Sequence, residues 1–330
     1  MRLPNWVGDV VMATPALAAL RGAHPEAEIV AEGRPFLAGL VRGLSSLDGF
    51  LPETRASFAR ARILRERGFD WAVLLPDSVR SAVAPFLARV PVRAGYARDP
   101  LRRALLTHAL TPPAEAGRRV PISMTLRYLR VTRALGCADA GPSTTLVVDA
   151  AAREAVQKRL AEAGLAPQQR TLVVTPGASF GSSKLWPPGH FASACDQIAC
   201  RHGLAVVLAP GPGEEALARE IAAVMREPAV VLAAPPTTLA ELVALIAGAA
   251  LQLGNDTGPR HIAVALGVPA VVLMGPTDPR HTAHQLERQR VLREDVACSP
   301  CGLKSCPIDQ RCMTRIGPER VATAAAELLA

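Results

Sequence analysis

The chain has 330 residues, 49% hydrophobic, 20% charged and only 4% aromatic. That length and balance fit an ordinary globular protein of two domains and exclude a membrane span, since no run holds the 18 or so apolar residues one needs. The net charge of +8 is uneven: residues 1–150 hold 20 Arg and no Lys against 13 acids, whereas residues 151–330 hold 17 bases against 16 acids. A basic first half suits a phosphorylated substrate, an anionic lipid surface or nucleic acid, but so few aromatics leave little for single strands to stack on.

In chain order, "MRL" is the only stretch before "PNWVGDVVMATPAL" that can serve as a first strand, so that strand is expected to be very short or truncated. Gly8 reads as a tight turn, Asp9 as either a helix cap or a site carboxylate, and Thr14–Pro15 as a helix start. "AEIVAEG" and "DWAVLLPD" read as strands around the helical "RPFLAGLVRGL". A turn-rich segment and a charged helix near 151–164 mark a domain boundary near 150. Beyond it, "TLVVTPG", "LAVVLAPG", "AVVLAA", "LQLGN" and "PAVVLMGP" read as buried strands alternating with helices. Such alternation predicts parallel α/β sheets. Ligands then sit beyond the carboxyl ends of the strands. No basic and apolar leader opens the chain, so the expected location is cytoplasmic.

Three strand-end loops carry chemistry. In "TPGASFGSSKLWPPGHF", Gly177, Ser182 and Ser183 let amides approach an anion and Lys184 adds a point charge. With 34 Arg and three Lys in the chain, a Lys at 184 is either a retained ammonium or an ordinary loop residue. In "GNDTGPRHIAVALG", Asp256 or Thr257 caps the helix that Gly258 opens, or its free amides and dipole hold phosphate, with His261 at the helix tip. In "APGPGEEALARE", Glu214 either favours the helix start or holds a ribose hydroxyl pair. No Asp-x-Asp pair near these loops suggests a metal, and no cofactor is expected.

With these blocks in view, the sequence resembles the family 9 glycosyltransferases, the ADP-heptose:lipopolysaccharide heptosyltransferases, and most closely the heptosyltransferase II branch. "PNWVGDVVMATPAL", "PGASFGSSKLWPPGHFA", "NDTGPRHIAVALGVPAVVLMGPTDP" and "CSPCGLKSCPIDQRCMTRIGPERV" are similar to its signatures, in the same order. The resemblance implies a GT-B fold of two Rossmann-like doubly wound domains facing across a cleft. Residues 1–150 would bind the acceptor and residues 151–330 the ADP-sugar, with the last helix packing back on the first domain. It implies an inverting, metal-independent transfer from ADP-heptose to the lipopolysaccharide inner core, made peripherally at the cytoplasmic face of the inner membrane, without nucleic acid. Asp9 falls on the general base and Lys184 on the diphosphate ligand. Asp256 would meet sugar hydroxyls, while Thr257, Gly258 and His261 complete the donor block and Glu214 matches the ribose acid. Acceptor-binding candidates are Arg55, Arg60 and Arg62, with Arg65 and Arg67 on the same segment, and Arg118 and Arg119. Cys298, Cys301, Cys306 and Cys312 have spacing compatible with zinc or an iron–sulfur cluster; the resemblance makes them a structural signature instead.

Overall fold

The computed structural model describes every residue except 55, 116, 117, 139 and 140, and only the backbone of Arg118 and Arg119. The chain divides into two units, Met1–Val147 with Arg280–His284, and Val148–Pro279 with Gln285–Ala330.

The first unit runs α1 (Val7–Met12), α2 (Thr14–Ala23), β1 (Val30–Gly33), α3 (Ala38–Val41), β2 (Gly49–Pro52), α4 (Ser57–Glu66), β3 (Trp71–Leu74), α5 (Val79–Leu87), β4 (Val92–Tyr96), α6 (Pro100–Leu105), β5 (His108–Leu110), the small antiparallel pair β6 (Ala114–Glu115) and β7 (Arg118–Arg119), and α7 (Met124–Arg133). β1 pairs with β2, and β3 with β4 and β4 with β5, all parallel. Met1–Leu3 joins the two groups. Arg2 bridges Glu32 on one side and Leu74 on the other, through Leu3 N–H to Glu32 O and Arg2 N–H to Val73 O, both 2.8 Å. The three residues "MRL" therefore stand where the central strand of a doubly wound sheet belongs, giving the order 3-2-1-4-5-6 of such folds.

The second unit has that order in full. Its elements are α8 (Ala150–Glu162), β8 (Thr171–Thr175), α9 (Pro188–His202), β9 (Ala205–Leu208), α10 (Glu215–Val224), β10 (Ala229–Val231), α11 (Leu239–Ala247), β11 (Leu251–Asn255), α12 (Gly258–Ala265), β12 (Ala270–Leu273), β13 (Gln289–Leu292), α13 (Arg311–Thr314) and α14 (Pro318–Leu329). One parallel sheet runs β10-β9-β8-β11-β12-β13. β8, β11 and β12 are buried at every position, as parallel strands covered on both faces are; the polar side chains of β11 find buried partners, Gln252 Nε2 donating to Thr175 Oγ1 at 2.9 Å and Asn255 Nδ2 to Pro176 O at 2.6 Å. The last helix belongs to this unit. Its apolar face, Val321, Ala322, Ala324 and Ala325, joins the core around Trp186 and Phe191, and Trp186 Nε1–H donates to Ile316 O at 2.9 Å.

A slot of about 480 Å³ lies beside Met1, lined by β1, β3 and side chains such as Leu20, Leu64, Phe69 and Trp71. The Met1 ammonium donates to Val30 O at 2.6 Å, and burial lowers its pKa to about 6. Between pH 6 and 8 the folded chain therefore binds fewer protons than the unfolded one, and stability rises with pH by on the order of 2 kcal/mol. Thermal melts at pH 6 and pH 8 check this: the melting temperature should be higher at pH 8, whereas an unchanged or lower one would contradict the destabilising burial of the ammonium.

Candidate functional site

In the second unit the chain order reverses between β8 and β11, and the crevice at such a switch point is where open α/β sheets take ligands. The loop after β8 brings Lys184 there, and the turn after β11 brings Asp256. Lys184 Nζ donates to Asp256 O at 2.6 Å and to its Oδ2 at 3.0 Å. Arg260 Nη1 donates to Oδ1 at 2.8 Å and Thr277 Oγ1 to Oδ2 at 2.7 Å. Gln289 Oε1 accepts from Arg260 Nε and Nη2. Burial pushes the Asp256 carboxyl up, but the Lys184 and Arg260 charges and the Thr277 hydroxyl more than reverse this, holding it well below the usual carboxylate range.

Asp256 ties the site together: its carboxylate oxygens are engaged by three side chains, from the loop after β8, from α12 and from the loop after β12. An ammonium has three donors; Asp256 takes two, leaving one for a ligand. The formal charge of Lys184, Arg260 and Asp256 together is +1. Neither Asp256 nor Thr257 caps α12, since the Thr257 hydroxyl turns back to Asn255 O. The helix start at Gly258 thus keeps amides for an anion, Pro259 being without one. His261 is buried beside Asp256 rather than at an exposed tip.

The serines of the Lys184 loop fix that loop instead of cradling an anion. Ser183 N–H donates to Lys304 O at 3.0 Å and its hydroxyl to Leu303 O at 2.5 Å. Ser182 meets Ser305 through its hydroxyl, and its carbonyl accepts from Gln310 Nε2. Gly181, at φ 157°, passes so close to Lys304 that a side chain there would strike its backbone. The Cys-rich segment is thus the brace of the Lys184 loop. Its four thiols are free. Burial raises Cys312, and the neighbouring sulfurs of Cys298, Cys301 and Cys306 raise it further. Among the described residues no three His, Cys, Asp or Glu are placed to hold a metal.

Glu214 lies across the same strand ends. Its carboxylate accepts from Gly211 N–H at 2.8 Å and from Ala178 N–H, and it packs on the bare α-carbon of Gly177, where any side chain would displace it. Burial raises its pKa despite those donors.

In the first unit Gly8 and Asp9 lie in the first turn of α1, not in a tight turn, and α2 does begin at Thr14–Pro15. An acid there is favoured by the helix dipole, yet Asp9 remains half-buried at the end of the central strand position. The Tyr128 hydroxyl of α7 is hydrogen-bonded to its carboxylate; burial first, then Asp9, pushes that phenol well above its usual range, so it stays a donor. Tyr128, Thr277 and Arg260 were not candidates from sequence.

The arginines of α4 meet different partners. Arg60 is buried and forks onto both oxygens of Glu32 at 2.6 and 2.7 Å. Arg62 is exposed beside Glu66, Arg65 holds Leu87 O, and Arg67 pairs with Glu28. Arg55 lies outside the described residues, and of Arg118 and Arg119 only their place in β7 is described.

The family described as glycosyltransferase family 9 (heptosyltransferase) matches residues 57–311. Lipopolysaccharide heptosyltransferase 2 of Salmonella typhimurium is 30% identical over 305 residues, 88% of this chain and 86% of that protein. Lipopolysaccharide heptosyltransferase 3 of Escherichia coli is also 30% identical, over 82% of this chain and 81% of its own length. The solved structure of Escherichia coli ADP-heptose lps heptosyltransferase II is 26% identical, covers 99% of this chain and 97% of that one, and superposes with a TM-score of 0.81.

Asp256→Asn keeps the shape but removes the charge between two cations, and breaking a buried pair costs about 3–5 kcal/mol. The wild-type contribution is complete above the ordinary carboxyl pKa and is lost as pH falls through the depressed folded value. Denaturant melts from pH 7 down to pH 2 should therefore show the variant less stable at pH 7, with the difference shrinking in acid. Equal stability at pH 7 would contradict the role given to Asp256.

Proposed function

Because the chain belongs to glycosyltransferase family 9, we propose that it moves heptose from ADP-L-glycero-D-manno-heptose to the heptose of the lipopolysaccharide inner core, with inversion and without a metal. It is an enzyme that transfers glycosyl groups, built on the GT-B fold of two Rossmann-like units. The observation that carries the donor side is the Lys184–Asp256–Arg260 cluster, a buried net positive charge at the switch point of the second unit. It suits a diphosphate, whose leaving charge the spare Lys184 donor and the α12 amides stabilise. Glu214, with a carboxylate fixed by two amides, suits the ribose hydroxyls.

On the acceptor side Asp9 is the base. The acceptor hydroxyl oxygen bonds to the anomeric carbon as the bond from that carbon to the diphosphate oxygen breaks. The hydroxyl proton passes to the Asp9 carboxylate, and ADP departs from the opposite face, which inverts the anomeric centre. Tyr128 holds the carboxylate in place for this. The positive charge that a metal supplies to many diphosphates comes here from Lys184. No helix among the described residues is long and apolar enough to cross a membrane; the basic first unit suits peripheral attachment to the anionic cytoplasmic face of the inner membrane. Similarity to heptosyltransferase 3 at the same identity keeps a second reading, the same transfer to another inner-core acceptor.

Asp9→Asn is expected to lower kcat by about 10²–10⁴ while ADP affinity stays within threefold, as read by single-turnover transfer and calorimetry. Tyr128→Phe should lower kcat about tenfold, the scale of one hydrogen bond to a charge, and leave the KM for the sugar nucleotide unchanged. Collapse of ADP affinity in Asp9→Asn would place Asp9 in the donor site or the fold instead.

A further inference from the structure

The first unit has its own switch point, between the central Met1–Leu3 position and β3. Asp9 follows the one and Asp77 follows the other, as Lys184 and Asp256 follow β8 and β11 in the second unit. At this point there is a recess of about 250 Å³, lined among others by Asp77, Arg98, Arg127, His281, Ile122 and Met124, all of the same unit.

Its chemistry is specific. Asp77 Oδ2 pairs with Arg127 and, at 3.7 Å, with Arg98 Nε. Two guanidinium groups on one carboxylate leave a formal charge of +1. Arg127 is held: its guanidinium lies 4.0 Å from the Tyr96 ring centroid, and its carbonyl accepts from Tyr96 Oη at 3.1 Å. Arg98 is 48% exposed and only loosely paired, so it is open to an anion. Asp77 Oδ1 is buried with no hydrogen-bond partner among the described residues. A buried acceptor left unpaired is costly and calls for a hydroxyl donor. Ile122 and Met124 add an apolar wall. The recess also adjoins the base: Arg127 lines it, and the next residue of α7, Tyr128, holds Asp9 and lies within the fields of Asp77 and Arg127.

We propose that this recess is the acceptor subsite, taking an anionic saccharide whose carboxylate or phosphate pairs with Arg98 and Arg127 and whose hydroxyl donates to Asp77 Oδ1. Arginine favours both anions because its planar fork matches them. The subsite replaces the α4 patch, where Arg60 is spent on Glu32, and it rests on the reading of Asp9 as the base.

The test uses a lipid-free inner-core oligosaccharide carrying both phosphate and carboxylate groups. Its binding is measured by calorimetry and its glycosylation by steady-state kinetics. Arg98→Ala, an exposed change that the fold should tolerate, is expected to raise the acceptor Kd and KM at least tenfold and leave the KM for ADP-heptose within twofold. Repeating the comparison with the dephosphorylated and the carboxyl-reduced oligosaccharide identifies the anion, because removing the right one abolishes the difference between wild type and variant. Unchanged acceptor Kd and KM in Arg98→Ala, a rise in Arg62→Ala instead, or an Arg98→Ala effect that survives removal of both anions would each overturn the subsite. Wild-type protein that binds the oligosaccharide in an Arg98-dependent way but transfers nothing from ADP-heptose would sink the proposed reaction and leave the subsite standing.

Discussion

The carboxylate of Asp256 is the constraint on which the second unit's site depends. It sits at the end of β11 and gathers Lys184 from the loop after β8, Arg260 from α12 and Thr277 from the loop after β12. Taking three charges out of water is expensive, and their mutual attraction offsets that only when the geometry is good and the remaining donors find partners. Here Gln289 satisfies part of Arg260, and the braced 303–310 segment keeps the Lys184 loop in register. The formal charge of Lys184, Arg260 and Asp256 together is +1. On the proposed reading a diphosphate meets that charge at the crevice.

The two units place opposite charges at matching positions. Each has its first chemical residue after the central strand position and its second after the strand across the switch point. In the second unit the first is Lys184, and the site is positive. In the first unit it is Asp9, and the residue holding it is the Tyr128 phenol, which burial keeps neutral and a donor. Asp9 stands at the position where many nucleotide folds hold phosphate; on the proposed reading this unit activates a hydroxyl there and the second unit takes the phosphate. The footing of Asp9 rests on Met1–Leu3, three residues bonded to β1 on one side and β3 on the other.

Much of this was legible in the sequence, for identifiable reasons. Strands such as Thr171–Thr175 and Ala270–Leu273 are largely apolar because both faces are covered, and the Pro, Gly and Asn that follow such strands mark the loops. Lys184 stood out in an arginine-rich chain. The contacts between distant segments were not legible. Thr277 meets Asp256 across 21 residues, and Tyr128 meets Asp9 across more than a hundred, with no local pattern to announce either. Gly8 read as a turn because glycine often marks one, whereas packing around buried Val10 and Val11 carries it in a helix. The α4 arginines read as a patch because spacing cannot tell that Arg60 points at Glu32, and the serines at 182 and 183 read as a phosphate cradle because their partners, Leu303, Lys304 and Ser305, are about 120 residues away.

The central claim is that the Asp256-linked cluster is a diphosphate site. The most direct measurement is a crystal structure of the protein with ADP. The account predicts diphosphate oxygens within hydrogen-bonding distance of Lys184 Nζ and of the amides opening α12, with Asp256 still held by Lys184, Arg260 and Thr277 and the ribose against Glu214. A diphosphate bound away from Lys184, or an Asp256 that abandons those partners for the ligand, would contradict it.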